Sequence, residues 1–549
     1  MNVVIVGGVA GGMSVATRLR RLDEDASIVV IERSSHVSYA NCGLPYYVGG
    51  VIEDEADLLL QTPESLHRRF RIDVRVRSEV LSIDRDSRRV RVRTLDTGEE
   101  YEVPYDALVL SPGASPVIPP ISGIERAYPL RTVEDVERLS DVVQAKPRHA
   151  VVIGGGFIGL EIAENLVHRG IATQIVEASP QVLAPLDPEM ASLVAEEVVR
   201  HGVRLHLGVS VTGVESSSVA LSSGEVLDAD LVVLAIGVRP DTALARGAGL
   251  DIGPRGGIAV NGFNQTCDPT IYAVGDAAEK MDALDGSATL VPLANIANRH
   301  GRLVADHLAG LEVRPRTTIG TAIVKVFDLT VATTGWNEKR LVTAGRRAIP
   351  IHTHPFSHAG YYPGARPMAL KILVDPTSGA LLGAQGVGTE GVDKRIDVLA
   401  TAIRGGIPAA ELADLELAYA PPFGSAKDPV NMLGYVAQNV LSGREGTIQW
   451  HDVHEMRLHG ATFIDVRSAE EFADGSLPGA INIPVDVLRD RRDEIEDGLV
   501  VVYCQVGQRG HVAAQLLSQW GMNVRNLDGG YATWRHSPAY EELIEEFSR

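Results

Sequence analysis

Cys42 lies in the stretch Ser38-Tyr39-Ala40-Asn41-Cys42-Gly43-Leu44-Pro45-Tyr46-Tyr47, and Cys504 opens Cys504-Gln505-Val506-Gly507-Gln508-Arg509-Gly510 directly after an apolar run. A redox dithiol needs a second thiol a few residues away, yet the fifth residue after Cys42 is Tyr47 and the remaining cysteines are Cys267 and Cys504. A lone thiolate that attacks a disulfide ends as a mixed disulfide, so the thiol that resolves it comes from solution or from a bound cofactor. Cys504 has a different setting. A tight loop through Gln505 and Gly507 into a helix predicted to begin near His511 would aim backbone N–H groups at its sulfur, and Arg509 would add positive charge, which suits a thiolate or persulfide. Cys267 precedes Asp268-Pro269 without a basic or helix-terminal neighbour and reads as an inert packing thiol.

Such sulfur chemistry needs an electron source, and two glycine-rich turns could hold one. Gly154-Gly155-Gly156-Phe157-Ile158-Gly159 fits G-x-G-x-x-G between a strand and a helix, with Glu177 ending the next strand. Glycines there permit a tight turn and close approach of a pyrophosphate, and the acid accepts hydrogen bonds from a ribose diol. A carboxylate at Glu177 repels a 2′-phosphate, which favours NADH, with NADPH as the alternative. The first turn, Gly7-Gly8-Val9-Ala10-Gly11-Gly12, has Val9 where the second glycine is expected, but Glu32 stands about 20 residues further on, at the ribose-acid position. The βαβ order therefore occurs twice, at 2–33 and 149–178, and predicts two dinucleotide-binding units. The segments at 108–123 (with Ser111 and Gly113) and 231–241 (with Gly237) read as connectors between them. Asp276 follows a predicted strand; it suits either a polyol contact or a helix N-cap.

At 549 residues the chain is too long for one core, and its 71 acidic against 51 basic residues argue against nucleic acid or an anionic membrane as partner. No apolar run approaches the roughly 20 residues of a membrane helix. Three cysteines form no disulfide framework, and the opening MNVVIVGG leaves no room for a signal segment before the first strand, so a reducing cytoplasm is expected. A third region from about 320 to 445 alternates strands with a polar helix, and α/β rhythm resumes over the last hundred residues.

The ordered motifs VVIVGGVAGG, SYANCGLPYY, SPGASP, GGGFIGLE, AIGVRPD and TIYAVGDAAE resemble those of the FAD-dependent pyridine nucleotide-disulfide oxidoreductases over residues 1 to about 445. The resemblance implies an α/β fold class with two Rossmann-like domains, FAD-binding at 1–115 and 250–320 and NAD(P)H-binding at 116–249. An α+β dimerisation domain at 321–445 would make a homodimer. It assigns FAD to Gly7, Gly8, Ala10, Gly11, Gly12, Glu32, Arg33, Ser111, Gly113 and Asp276, and NADH to Gly154, Gly156, Gly159, Glu177 and Gly237. The segment AYAPPFGSAKDPVN lacks the histidine of the dithiol members, and Ala10 stands where oxygen- and peroxide-reducing relatives carry one.

The branch it looks most like is therefore the coenzyme A disulfide reductases and their fused CoA-dependent persulfide or polysulfide reductase relatives. In that branch coenzyme A supplies the missing thiol; the substrate is CoA disulfide, CoA persulfide or polysulfide. Ser38 and Asn41 would flank the mixed disulfide, and Ser14, Arg18 and Arg21 would meet the CoA phosphates together with Lys427 of the partner subunit. Helical arginines are more commonly just solvated. Tyr361 or Tyr362, with Tyr419, would donate protons near the sulfur, or else merely satisfy backbone carbonyls. His352, His354 and His358 lack companions for a metal and read as interface or surface residues. Residues 446–549, with FIDVRSAEEFADGSLPGAINIP and NLDGGYATW, resemble an α/β rhodanese domain, a sulfane-sulfur carrier that would relay sulfur through Cys504. An NADH oxidase that reduces oxygen and a non-catalytic redox-sensing flavoprotein are the competing readings.

Overall fold

The computed structural model describes residues 1–540 and Leu543. The chain forms two compact units, Met1–Ala178 with Gly202–Thr318, and Ser179–His201 with Ile319–Arg549. Among the described residues no helix is long and apolar enough to cross a membrane.

The first unit holds two five-stranded parallel sheets of the same plan. In one the order is Ile271–Ala273, Ala107–Leu110, Asn2–Val6, Ser27–Ile31, Asp73–Arg75. In the other it is Arg204–Leu207, Ala172–Glu177, His149–Ile153, Leu231–Leu234, Tyr128–Pro129. Parallel strands covered on both faces read as unbroken β-branched runs. In Asn2–Val6, Val3 and Ile5 join one buried cluster with Val15 and Leu19, while Val4 joins another with Leu108 and Val90. The central strand of each sheet is where strand order reverses, so each glycine turn sits at the crevice where such sheets bind ligands.

Each sheet also carries a three-stranded antiparallel meander, at 78–104 and 211–228, which extends the repeat beyond the βαβ core. The two connectors pair with each other: Ala114–Pro116 runs antiparallel to Val238–Pro240. Helix Ala10–Leu22 packs on helix Ala294–Leu308, where a side chain at Gly301 would strike the Gly11 carbonyl oxygen at 2.5 Å.

In the second unit an antiparallel sheet runs Ala322–Val326, Leu329–Gly335, Leu381–Gly388, Met368–Val374, Ile349–Thr353. Alternation divides its faces. Leu370, Ile372 and Val374 pack in the core with helices Val392–Gly405 and Pro429–Leu441. Lys371, opposite His352 on one neighbour strand and Gln385 on the other, belongs to a polar row. That row is buried with Asp187 and Glu189 of the Ser179–His201 excursion: the Lys371 ammonium meets Asp187 at 2.9 Å and Glu189 at 2.5 Å, and also pairs with Glu338. Gln385 exchanges hydrogen bonds with Asp187.

The C-terminal part of this unit is a parallel sheet in the order Thr447–Ile448, Asn523–Leu527, Leu499–Tyr503, Thr462–Asp465, Ile481–Asn482. Cys504 follows its central strand.

Candidate functional site

At the first crevice Gly7 has φ +97°, and a Cβ on it would lie 2.0 Å from the Ser111 carbonyl oxygen; a Cβ on Gly12 would lie 2.0 Å from the Gly7 carbonyl oxygen. Backbone packs directly on backbone there, which only glycine allows. Gly8 stands behind the turn, donating its N–H to Glu32 at 2.8 Å, and Val9 takes the N-cap position of helix Ala10–Leu22. The turn borders a cavity of about 830 Å³, whose wall includes Gly7, Ala10, Gly11, Glu32, Arg33, Asn41, Cys42, Ser111, Gly113 and Asp276. That volume is near the top of the usual cofactor-site range of ~300–1,000 Å³.

Asp276 is not a helix N-cap. It lies inside the 3₁₀ turn Gly275–Ala277 and accepts a 2.6 Å hydrogen bond from Arg131, whose Nε donates to the Ala114 carbonyl. Buried Lys280 clamps that turn by donating to the carbonyls of Gly275 and Ala278, and burial pushes its ammonium down to about 8. Sequence reading missed Arg131 and Lys280; neither sits in a glycine motif.

The second crevice repeats the first. Gly154 has φ +110° and its Cβ would meet the Ala235 carbonyl oxygen at 2.5 Å, while a Cβ on Gly159 would meet the Gly154 carbonyl oxygen at 1.9 Å. Gly156 differs: nothing lies within 4 Å of its absent Cβ, so it leaves open the side from which a ligand could come. Glu177 accepts the Gly155 N–H at 2.7 Å, and Gly237, at φ +109°, turns the connector after the neighbouring strand.

Cys42 sits in the 3₁₀ turn Asn41–Gly43, followed by helix Leu44–Gly49. Its residue is exposed toward the cavity, yet the protein around the sulfur pushes the thiol up, and the Glu161 carboxyl adds to the shift; Arg131 opposes it. Ser38, at φ +50°, donates its N–H to the Gly8 carbonyl at 2.8 Å and so ties the cysteine segment to the glycine turn. Helix Leu44–Gly49 docks on helix Phe157–His168. A Cβ on Gly49 would lie 1.9 Å from Asn165 Oδ1, Arg169 donates to the Val48 carbonyl, and Tyr46 donates to Glu161 Oε1 at 3.3 Å. Burial, with the Glu164 charge, pushes Glu161 up to about 7, and Tyr46 is pushed up to about 12.

The residues expected on CoA divide. Ser14 donates to Asn298 at 2.9 Å, Arg18 pairs with Asp306 at 2.7 Å, and Arg21 is exposed; between them Arg20 is buried and donates to backbone carbonyls, including those of Phe70 and Ala26. In the second unit Tyr361 and Tyr419 join their hydroxyls at 3.0 Å on the surface, whereas Tyr362 lies edge-on to His358; Lys427 is exposed.

The histidines correct the sequence reading. His352 and His358 are buried, and His352 bonds Asp528 through Nδ1 at 2.6 Å and Glu189 through Nε2 at 3.0 Å. Asp528 drives the imidazole up to about 9 against its burial, while burial pushes His354 down to about 3. Cys267 is likewise not packed: it is exposed.

Around Cys504, helix Gln508–Gln519 starts three residues earlier than expected, because Gly507 turns at φ +92° as its N-cap. Arg509 therefore lies in the first turn, where its guanidinium faces both Glu471, at 2.6 Å, and the Cys504 thiol; it holds Glu471 down at about 2. Tyr531 and Ala532 donate backbone N–H groups to the carbonyls of Cys504 and Gln505, and a Cβ on Gly530 would lie 2.4 Å from the Cys504 carbonyl oxygen. Gln505 accepts from Arg467, which pairs with Asp465 and lies 4.4 Å over the Tyr531 ring. The DVR run containing Asp465 and Arg467 reads only as a strand end without the fold.

Comparison with known proteins matches this architecture in three segments. Residues 1–301 fit the pyridine nucleotide-disulphide oxidoreductase family, 321–429 its dimerisation domain, and 450–537 the rhodanese-like domain. A coenzyme A disulfide reductase of Staphylococcus epidermidis is 34% identical over 440 residues, covering 80% of this chain and all of the relative. An NADH oxidase of Methanocaldococcus jannaschii is 34% identical over 454 residues, covering 81% of this chain and all of the relative. Among solved structures, reduced Bacillus anthracis CoADR-RHD superposes with a TM-score of 0.97 at 47% identity, over 99% of this chain and 98% of that one. An NAD-dependent persulfide reductase from A. fulgidus gives 0.92 at 38% identity, over 97% and 100%.

Proposed function

The chain belongs to the pyridine nucleotide-disulphide oxidoreductase family, and from that premise we propose that it is a flavoprotein reductase using NADH to cleave the sulfur–sulfur bond of a CoA-linked disulfide, persulfide or polysulfide at Cys42. It releases CoA thiol, with hydrosulfide as the second product where the substrate is a persulfide or polysulfide, and Cys504 relays sulfane sulfur. The observation that carries this reading is that Cys42 is the one cysteine in the wall of the cavity, which leaves the second sulfur to the substrate.

The residues present fit a flavin dinucleotide at the first crevice: the backbone-on-backbone turn at Gly7 and Gly12 would be blocked by any Cβ, and Glu32 stands at the ribose position. Gly7, Gly11, Ser111, Gly113 and Asp276 would hold it, Arg131 orienting Asp276. Gly154, Gly156, Gly159 and Glu177 would hold NADH, Glu177 disfavouring a 2′-phosphate. When bound, the flavin passes electrons from nucleotide to sulfur. Exposed Phe423, Tyr361 and Tyr419 in the dimerisation segment support a homodimer.

The test is anaerobic NADH oxidation with CoA disulfide and with CoA persulfide, in the intact protein and in Cys42→Ser and Cys504→Ser. Loss of both activities in Cys42→Ser supports the reading; undiminished turnover overturns it. If Cys504→Ser leaves transfer from a thiosulfate donor unchanged, the relay is wrong while the Cys42 chemistry stands. The NADH oxidase reading is favoured by the Methanocaldococcus relative and opposed by Ala10 in the first turn; turnover that requires oxygen and ignores sulfur substrates would establish it.

A further inference from the structure

Glu445 lies in the short junction between helix Pro429–Leu441 and Thr447–Ile448, the first strand of the C-terminal sheet. A carboxylate in a junction is normally solvated, yet Glu445 is only 7% exposed. Its backbone N–H donates to the carbonyl of Asn439 on helix Pro429–Leu441, while its side chain turns toward the segment that follows Cys504. Oε1 accepts from Asn526 Nδ2 at 2.9 Å, and Oε2 lies 2.8 Å from His511 Nδ1. Burying a carboxylate is costly unless its oxygens are satisfied, and here both are used by the two elements that flank the Cys504 loop.

Asn526 passes the contact on. It stands on strand Asn523–Leu527, in register with Val502, two residues before Cys504. Both neighbours of its amide nitrogen, the Glu445 carboxylate and the Gly507 carbonyl at 3.3 Å, are acceptors, which fixes the orientation of the amide. The amide oxygen then meets Gly510: a Cβ there would lie 2.3 Å from Asn526 Oδ1 and 3.5 Å from the Cys504 backbone nitrogen. Asn526 is wedged between the strand end that carries Cys504 and the first turn of helix Gln508–Gln519, and glycine at 510 makes the room. The Gly507 carbonyl also accepts the His511 N–H at 2.8 Å, the first bond of that helix. Glu445 therefore holds both ends of the turn, Gly507 through Asn526 and His511 directly.

Resting on the reading of Cys504 as a sulfur carrier, we infer that Glu445 is a positioning residue for it: acting through Asn526 and His511, the junction carboxylate fixes the turn from Gly507 to His511 so that Arg509 within it faces the sulfur. A sulfur anion gains most from a donor already in place, and a donor that must first be ordered loses part of that advantage. The geometry around Cys504 is set from outside the C-terminal sheet, by a residue tied to a helix of the preceding domain.

Amide hydrogen exchange on the full chain tests this. In Glu445→Ala, a peptide spanning 504–511 should exchange at least about tenfold faster while strand Thr462–Asp465 is unchanged, and thiosulfate-to-cyanide turnover should fall roughly 10- to 10²-fold. Glu445→Gln keeps an oxygen for Asn526 and offers an N–H to neutral His511 Nδ1, so both measurements should stay within about threefold of the unaltered protein. Asn526→Ala should reproduce the loss with the junction intact, and adding it to Glu445→Ala should cost little more, because the two act along one path. Gln515→Ala, which removes a bond from the same helix to the Arg444 carbonyl, should change neither measurement. NADH-driven cleavage of CoA disulfide should be unaffected throughout. Unchanged exchange at 504–511 in both alanine variants, exchange raised equally over the whole C-terminal sheet, or Glu445→Gln as impaired as Glu445→Ala overturns the inference. Absence of thiosulfate turnover in the unaltered protein would instead overturn the relay at Cys504, and the exchange measurement would still decide whether Glu445 holds the turn.

Discussion

Cys42 and Cys504 present the same element in opposite surroundings. Cys42 is exposed beside carboxyls, and its thiol is pushed up; Cys504 is buried ahead of a helix whose first-turn guanidinium, Arg509, already faces the sulfur. A sulfur anion at Cys504 finds its counter-charge built into the fold, whereas one at Cys42 must find stabilisation in what binds next to it. The difference suits a division in which Cys504 holds sulfur between encounters and Cys42 reacts only with its ligands in place.

Variants can break this contrast, and the largest effect belongs to the cysteines themselves. Cys42→Ser should reduce NADH-driven cleavage of CoA disulfide to background while leaving sulfur transfer by Cys504 from thiosulfate to cyanide intact, as stopped-time thiocyanate assays would check. Arg509→Gln should do the reverse, lowering thiosulfate turnover by roughly 10²-fold, the scale of removing one preorganised donor at a developing anion, with NADH oxidation by CoA disulfide unchanged.

A smaller effect is expected from pH. His352 bonds Asp528, two residues before the Gly530 that packs on Cys504. Its folded pKa, about 9, lies above the ordinary 6.5, so its contribution is complete below about 6.5 and is lost as pH rises through 9. That is on the order of 3 kcal/mol. Denaturant titrations at pH 7 and 10 should show the loss, and His352→Gln should remove its share of the difference. The smallest effect sharpens the contrast as a control: Cys267→Ser, at an exposed thiol outside the cavity wall, should leave both activities within about twofold.

Local pattern made the glycine turns, the two dinucleotide-type sheets and the settings of Cys42 and Cys504 legible, because each depends on residues adjacent in sequence. What escaped depends on distance along the chain. Glu161 lies 115 residues from the Tyr46 that meets it, and His352 lies 163 and 176 residues from Glu189 and Asp528. Without those partners His352 reads as a surface histidine and Glu161 as one more polar helix position. The start of helix Gln508–Gln519 was misplaced for a different reason: Gly507 reverses the chain in a single left-handed residue, which shortens the loop and brings Arg509 onto the first turn.

The excursion Ser179–His201 has a consequence for dissecting the molecule. A fragment beginning at Ile319 would carry the C-terminal sheet and the cysteine it presents, but not Asp187 or Glu189, and Lys371 would keep only Glu338 of its three carboxylate partners. Stranding a buried ammonium in this way costs on the order of 3–5 kcal/mol, much of a typical domain's margin. Expression in halves should thus yield an insoluble C-terminal piece unless a peptide spanning 179–201 is supplied in trans.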